Sequence, residues 1–166
     1  MKKQTILITG GTGKLGKCFA AHFSRNGYKV IITSTSEEKA NAFIESSPNN
    51  RDIDYFITDL REPEASKSLI EEIGSKDIKI NHLINNARSL SSLVVGENNF
   101  SSRNNLINEY LMHVVVPYEL SINIYLNQKK SIKNIINIGS QYGAVAINPA
   151  LYENDLSKAP IQYGLA

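Results

Sequence analysis

The sequence predicts an α/β fold, a doubly wound parallel sheet with helices on both faces. Three observations predict it. Short apolar runs rich in Ile and Val alternate with helical stretches along the chain. A glycine-rich turn joins the first of these runs directly to the first helix. The single cysteine, Cys18, leaves no disulfide within the chain to dictate another design.

The elements follow in order. Thr5–Ile8 (TILI) is the first strand, and a helix runs from Leu15 to about Arg25. Tyr28–Thr33 (YKVIIT) is the second strand. Ser36 can cap a helix through Glu45, with Glu37 and Glu38 against its positive end. Ser46 to Asn50 is a turn, and Ile53–Thr58 (IDYFIT) is the third strand. Pro63 suits the start of a helix ending near Ile73. Ile80–Ile84 (INHLI) is the fourth strand, and the serine- and asparagine-rich stretch from Ser89 to Ser102 is a loop. A long helix covers roughly Asn104 to Asn127. Ser131–Gly139 holds the fifth strand, and an irregular stretch with Gly143 and Pro149 follows. Strands joined by helices imply right-handed crossovers and the order 3-2-1-4-5, with ligands at the carboxyl ends where the order reverses. Residues 1–166 read as one domain.

Composition narrows the function. The chain of 166 residues is 42% hydrophobic and 20% charged, ordinary for a globular protein. A net charge of +2 gives no reason to expect nucleic acid or a membrane surface. No apolar run spans a bilayer. Lys2 and Lys3 precede an apolar run that stops at Gly10, too soon for an export signal. One cysteine fits a reducing, cytoplasmic setting, and Cys18 is expected to pack against the sheet. No Cys/His cluster has metal-ligand spacing, so no metal is expected.

The motif with most chemistry is Thr9-Gly10-Gly11-Thr12-Gly13-Lys14-Leu15-Gly16. A strand that breaks into a glycine turn and then a helix aims backbone N–H groups and a helix dipole at one spot, which suits a pyrophosphate. The second strand ends in Thr33-Ser34-Thr35-Ser36, with no acid before Glu37. A ribose 2′-hydroxyl is usually met by an acid there. Hydroxyls from Ser34 and Thr35, helped by Lys14, instead suit a 2′-phosphate, so the cofactor is NADP or NAD with NADP favoured. The long helix has apolar residues on more than one face, among them Leu106, Ile107, Tyr110 and Val114. The excess fits a subunit interface in a homo-oligomer or a contact with a later part of the same fold.

Thr9–Gly16, Asn85-Asn86-Ala87 and Ile138-Gly139-Ser140 together resemble the short-chain dehydrogenase/reductase family, in the right order along the whole chain. The resemblance implies a Rossmann-type sheet whose last strands are missing here, and an NAD(P)-dependent oxidoreductase with a small-molecule substrate. It implies cofactor contacts at Gly10, Gly13, Lys14, Leu15, Gly16, Asp59, Leu60, Asn86 and Ala87. Asp59 would meet the adenine amino group; alternatively it caps the helix at Pro63. The family has glycine where Arg88 stands, and the arginine would meet a phosphate or solvent. Ser140 matches the catalytic serine; alternatively it caps a turn.

The family's acid/base tyrosine is followed four residues later by lysine. Tyr125 with Lys129 has that spacing but precedes the fifth strand, so it is set aside. Tyr163 stands in the right place, with the chain stopping one residue before the lysine position. The chain therefore reads as the front part of a longer enzyme, inactive as given. His113 occupies the position of a family asparagine that anchors a water of the proton relay; alternatively it is a helix histidine satisfied locally. Ser140–Ala146 and Leu151–Asn154 are similar to oxidoreductases of bacterial flagellin and surface-sugar pathways that handle nonulosonic acids, which implies a sugar or amino-sugar substrate. Two other readings stay open: a cofactor-sensing module without chemistry, and an extended sugar-nucleotide epimerase or dehydratase.

Overall fold

The computed structural model describes residues 3–96, 101–128, 131–155 and 158–165. Its strands are β1 (Thr5–Ile8), β2 (Lys29–Ser34), β3 (Ile53–Ile57), β4 (His82–Asn85) and β5 (Asn134–Asn137). They form one parallel sheet in the order β3-β2-β1-β4-β5. The expected topology holds because each crossover carries a helix or a long loop. β1 sits at the centre, with Leu7 opposite Ile31 on one side and Leu83 on the other. Ile6, Leu7, Ile8, Val30, Ile31, Ile32, Leu83 and Ile84 are buried, as a strand covered on both faces requires. β5 departs from that rule. Ile135 and Ile136 are 42% and 44% exposed, and the strand forms one margin of the sheet.

The helices are α1 (Lys14–Arg25), α2 (Glu37–Glu45), α3 (Ala65–Ser75), α4 (Arg103–Tyr110), α5 (Val116–Gln128) and α6 (Ile161–Leu165). α1 buries Gly16, Ala20 and Ser24, a stripe of small residues at i, i+4 that lets the helix lie close to the sheet. Cys18 lies off that stripe and is exposed, so the expected packing role is corrected. In α2 the Ser36 hydroxyl accepts from the Lys39 N–H at 3.2 Å, the expected cap. α3 starts at Ala65, two residues later than expected, after Glu64 at φ 61°. Asp59 therefore does not cap it.

The expected long helix is interrupted. α4 passes into a π-helical turn over Leu111–Val115 before α5 begins. The chain divides into two compact units, Met1–Ala87 with Pro117–Ile138, and Arg88–Val116 with Gly139–Ala166. Among the described residues no helix is long and apolar enough to cross a membrane.

Two outcomes follow. A Cβ at Gly16 would lie 2.3 Å from the Gly10 carbonyl oxygen, which is backbone and cannot yield cheaply. Gly16→Ala is expected to lower the free energy of unfolding by about 1–3 kcal/mol, read from urea denaturation. His82 is held neutral: Nε2 meets Gln4 Oε1 at 2.7 Å, and Nδ1 accepts from the Asn134 amide at 3.0 Å. Burial, then the nearby Lys133 charge, lower its pKa. Its contribution to stability is complete above the ordinary histidine value of about 6.5 and is lost as pH falls from there toward the lowered folded value. The urea midpoint should drop over that window, and less so in His82→Gln.

Candidate active site

In the first unit the carboxyl edge of the sheet is fastened before any ligand is considered. The Thr9 hydroxyl accepts from the N–H groups of Asn86 and Ala87, both at 2.9 Å. The Asn86 amide donates to the carbonyl oxygens of Thr9 at 2.9 Å and Gly10 at 3.3 Å. Gly10 has φ +65°, and a Cβ there would lie 2.9 Å from the Ala87 Cα. Gly11 is pressed on Ile32, where a Cβ would come within 2.3 Å of the Ile32 Cβ. The N–H groups of Gly10 and Gly11 are spent on the Thr33 hydroxyl and carbonyl. Gly10 and Gly11 are thus required by protein packing.

The free donors lie one step further on. Gly13 is the N-cap of α1 and no side chain caps it. The first helical bond is Lys17 N–H to the Gly13 carbonyl, leaving the amides of Lys14, Leu15 and Gly16 without an intrahelical acceptor. The first turn carries no acid, and Gly13, Lys14 and Leu15 are exposed. This arrangement presents bare amides and a positive helix end to an anion.

The remaining first-unit residues differ in what they leave open. Ser34 is buried, its hydroxyl shared among Thr12 at 3.1 Å and the Ser36 backbone. Thr35 is exposed. Glu37, the first acid after β2, accepts from the Tyr55 hydroxyl at 3.2 Å. Asp59 accepts from the Arg61 backbone at 3.0 Å and from its guanidinium at 2.9 Å. The Arg61 hydrogen bonds hold its carboxyl below the usual range. Leu60 is buried beside it.

The second unit brings Ser140, Tyr163 and His113 into one neighbourhood with Tyr142 and Arg88. The Ser140 hydroxyl accepts from the Tyr142 N–H at 3.2 Å, the turn-capping arrangement, and keeps its own proton to donate. Tyr142 meets Tyr163 edge-on with ring centroids 6.4 Å apart. His113 meets Tyr163 edge-on at 6.2 Å. The Arg88 guanidinium lies 4.6 Å above the centre of the Tyr163 ring. Arg88 thus stands over an aromatic face, a placement the motif comparison did not foresee.

Tyr163 is held by its neighbour. Gln162 is fully buried, donating to the Ser92 carbonyl at 2.8 Å and accepting from the Ser101 hydroxyl. Nothing in the sequence marked Gln162 as this support; its burial and its two partners are visible only in the fold. Lys129 and Ala166 lie outside the described residues. Among the described residues no three His, Cys, Asp or Glu side chains gather as metal ligands.

A family model for the short chain dehydrogenase matches residues 4–152. The chain belongs to the short-chain dehydrogenase family. Among curated relatives, the short chain dehydrogenase/reductase dpmpG of Macrophomina phaseolina is 30% identical over 141 residues, covering 82% of this chain and 80% of that protein. Its counterpart dpfgG of Gibberella zeae is 28% identical over 138 residues, covering 82% of this chain but 51% of that one. Among solved structures, ElxO with NADP bound superposes with a TM-score of 0.81 at 26% identity, covering 99% of this chain and 62% of that one. The chain thus spans about half to four fifths of the length of these members of the short-chain dehydrogenase family.

Gln162→Leu is expected to strand the Ser92 carbonyl and the Ser101 hydroxyl. The loss should be about 1–3 kcal/mol in urea unfolding. It should also release the Tyr163 ring, seen as averaging of its aromatic NMR signals.

Proposed function

We propose that the chain is the cofactor-binding and proton-transferring part of an NAD(P)-dependent oxidoreductase acting on a hydroxyl or carbonyl of a small molecule. The observation that carries this is the bare N-terminus of α1, uncapped and free of acids, at the carboxyl end of the central strand. Membership of the family and the NADP in the ElxO structure support it. The amides of Lys14, Leu15 and Gly16 would hold the pyrophosphate, with the Thr9–Asn86 stitch keeping the turn in place. Asn86, Ala87, Asp59 and Leu60 would border the nucleoside, as in the family.

NADP is the favoured cofactor. β2 ends in hydroxyls rather than an acid, and Glu37, the first acid after it, already accepts from the Tyr55 hydroxyl. Exposed Thr35 and Lys14 would meet a 2′-phosphate, while Ser34 supports the loop from within. A nicotinamide held there would supply or accept the hydride. Ser140 would donate to the substrate oxygen, and Tyr163 would give or take its proton. The substrate reading is a sugar or amino sugar of surface-glycan or flagellin modification, resting on Ser140–Ala146 and Leu151–Asn154. The setting is cytoplasmic. Exposed Ile107, Tyr110 and Tyr118 fit a homo-oligomer.

Gly13→Asp separates this reading from a merely structural turn. Gly13 has φ −74° and ψ 170°, which aspartate adopts readily, and aspartate is a good N-cap. The variant should keep its melting temperature yet bind NADPH at least about tenfold more weakly by fluorescence titration, because its carboxylate occupies the anion position. Equal affinity would remove the turn from the proposal. In the longer enzyme, Tyr163→Phe should cut kcat by about 100-fold or more with NADPH affinity unchanged. Retained turnover would remove the tyrosine.

A further inference from the structure

Glu109 is fully buried, and neither carboxylate oxygen has a hydrogen-bond partner among the described residues. Taking an ionised carboxylate out of water without a partner costs several kcal/mol. The group beside it is His113, whose Nε2 lies 3.2 Å from Oε2, within reach but without the alignment of a hydrogen bond. Nε2 is itself buried and otherwise unpartnered among the described residues. The two residues stand at i and i+4 across the start of the π-helical turn Leu111–Val115. Such turns are rare and concentrate at functional sites.

A purely structural role explains this poorly, because well-packed apolar residues in place of a buried ionic pair are often neutral or stabilising. The cluster around the pair points elsewhere. The His113 ring lies against Tyr163, and Tyr163 also carries the Arg88 guanidinium and the edge of Tyr142.

We propose that Glu109 is a positioning residue that holds the Nε2–H of His113, leaving Nδ1 to exchange a proton with Tyr163 through one water. The proposal rests on Tyr163 being the acid/base. In the oxidising direction the substrate O–H proton passes to the Tyr163 phenolate, giving the phenol. The phenol returns to phenolate by giving that proton, through the water, to Nδ1. The imidazolium so formed is balanced by the Glu109 carboxylate, and solvent takes the proton on.

The test reads the imidazole directly, with ¹⁵N-labelled chain and no cofactor. Three histidines make the assignment simple. Wild type should show a His113 Nε2–H protected from solvent exchange, with contacts to the Glu109 methylenes. In Glu109→Met that proton should exchange freely while the fold and melting temperature are kept. In Glu109→Gln, which keeps an acceptor oxygen, protection should be retained. A bare Nε2 in wild type, or equal protection in Glu109→Met, overturns the proposal without touching the assignment of Tyr163, which the Tyr163→Phe measurement judges separately. In the longer enzyme Glu109→Met should lower kcat about tenfold or more at unchanged KM, against the 100-fold or larger range of a direct acid/base loss. An unchanged kcat also overturns it.

Discussion

One hydroxyl governs the carboxyl edge of the sheet. Thr9 receives two backbone N–H groups from the chain leaving β4, and Asn86 sends its amide back across to the chain leaving β1. These bonds draw Gly10 so close to Ala87 that no side chain fits between them. The end of the central strand, the turn and the first residues of α1 are then fixed relative to one another. Everything presented to an anion depends on that fixation, since bare amides bind well only when they need not be gathered first.

The fold was largely legible in the sequence because its signals are local. Apolar runs marked the five strands, Ser36 announced α2, and the glycine turn announced α1. The strand order followed from the doubly wound pattern of strands and helices. What local signals could not carry was what a residue touches across the fold. Gly11 received no role of its own from the sequence, yet Ile32 fills the space its side chain would need. Cys18 looked like a core residue, yet it falls between the buried positions of α1. The alternative role of Asp59 as a helix cap is not taken up, since its carboxylate is turned to Arg61. Ser34 and Thr35 looked alike as hydroxyls, yet one is consumed by the loop and the other faces outward.

The second unit shows the same limit more sharply. Ser140, Tyr163 and His113 were each visible as single positions, and the structure gathers them. Their supports were invisible. Gln162 and Glu109 have no motif of their own, and the motif beside Arg88 does not say what it covers; the Ser92 carbonyl and the Tyr163 ring come from distant stretches, the His113 nitrogen from one turn further along the helix. The helix break at Leu111–Val115 was hidden too, because an extra residue in a turn leaves apolar spacing nearly unchanged.

The exposed margin of the sheet has a consequence of its own. Among the described residues β5 is hydrogen-bonded to β4 alone in the sheet, and its isoleucines meet solvent. A half-paired strand with exposed isoleucines is a template onto which an extended polypeptide can zip without breaking a bond already made. The concentration at which this chain is handled therefore matters, since crowding brings such ribbons together. Lysines placed at alternate positions along that margin would be the simplest remedy.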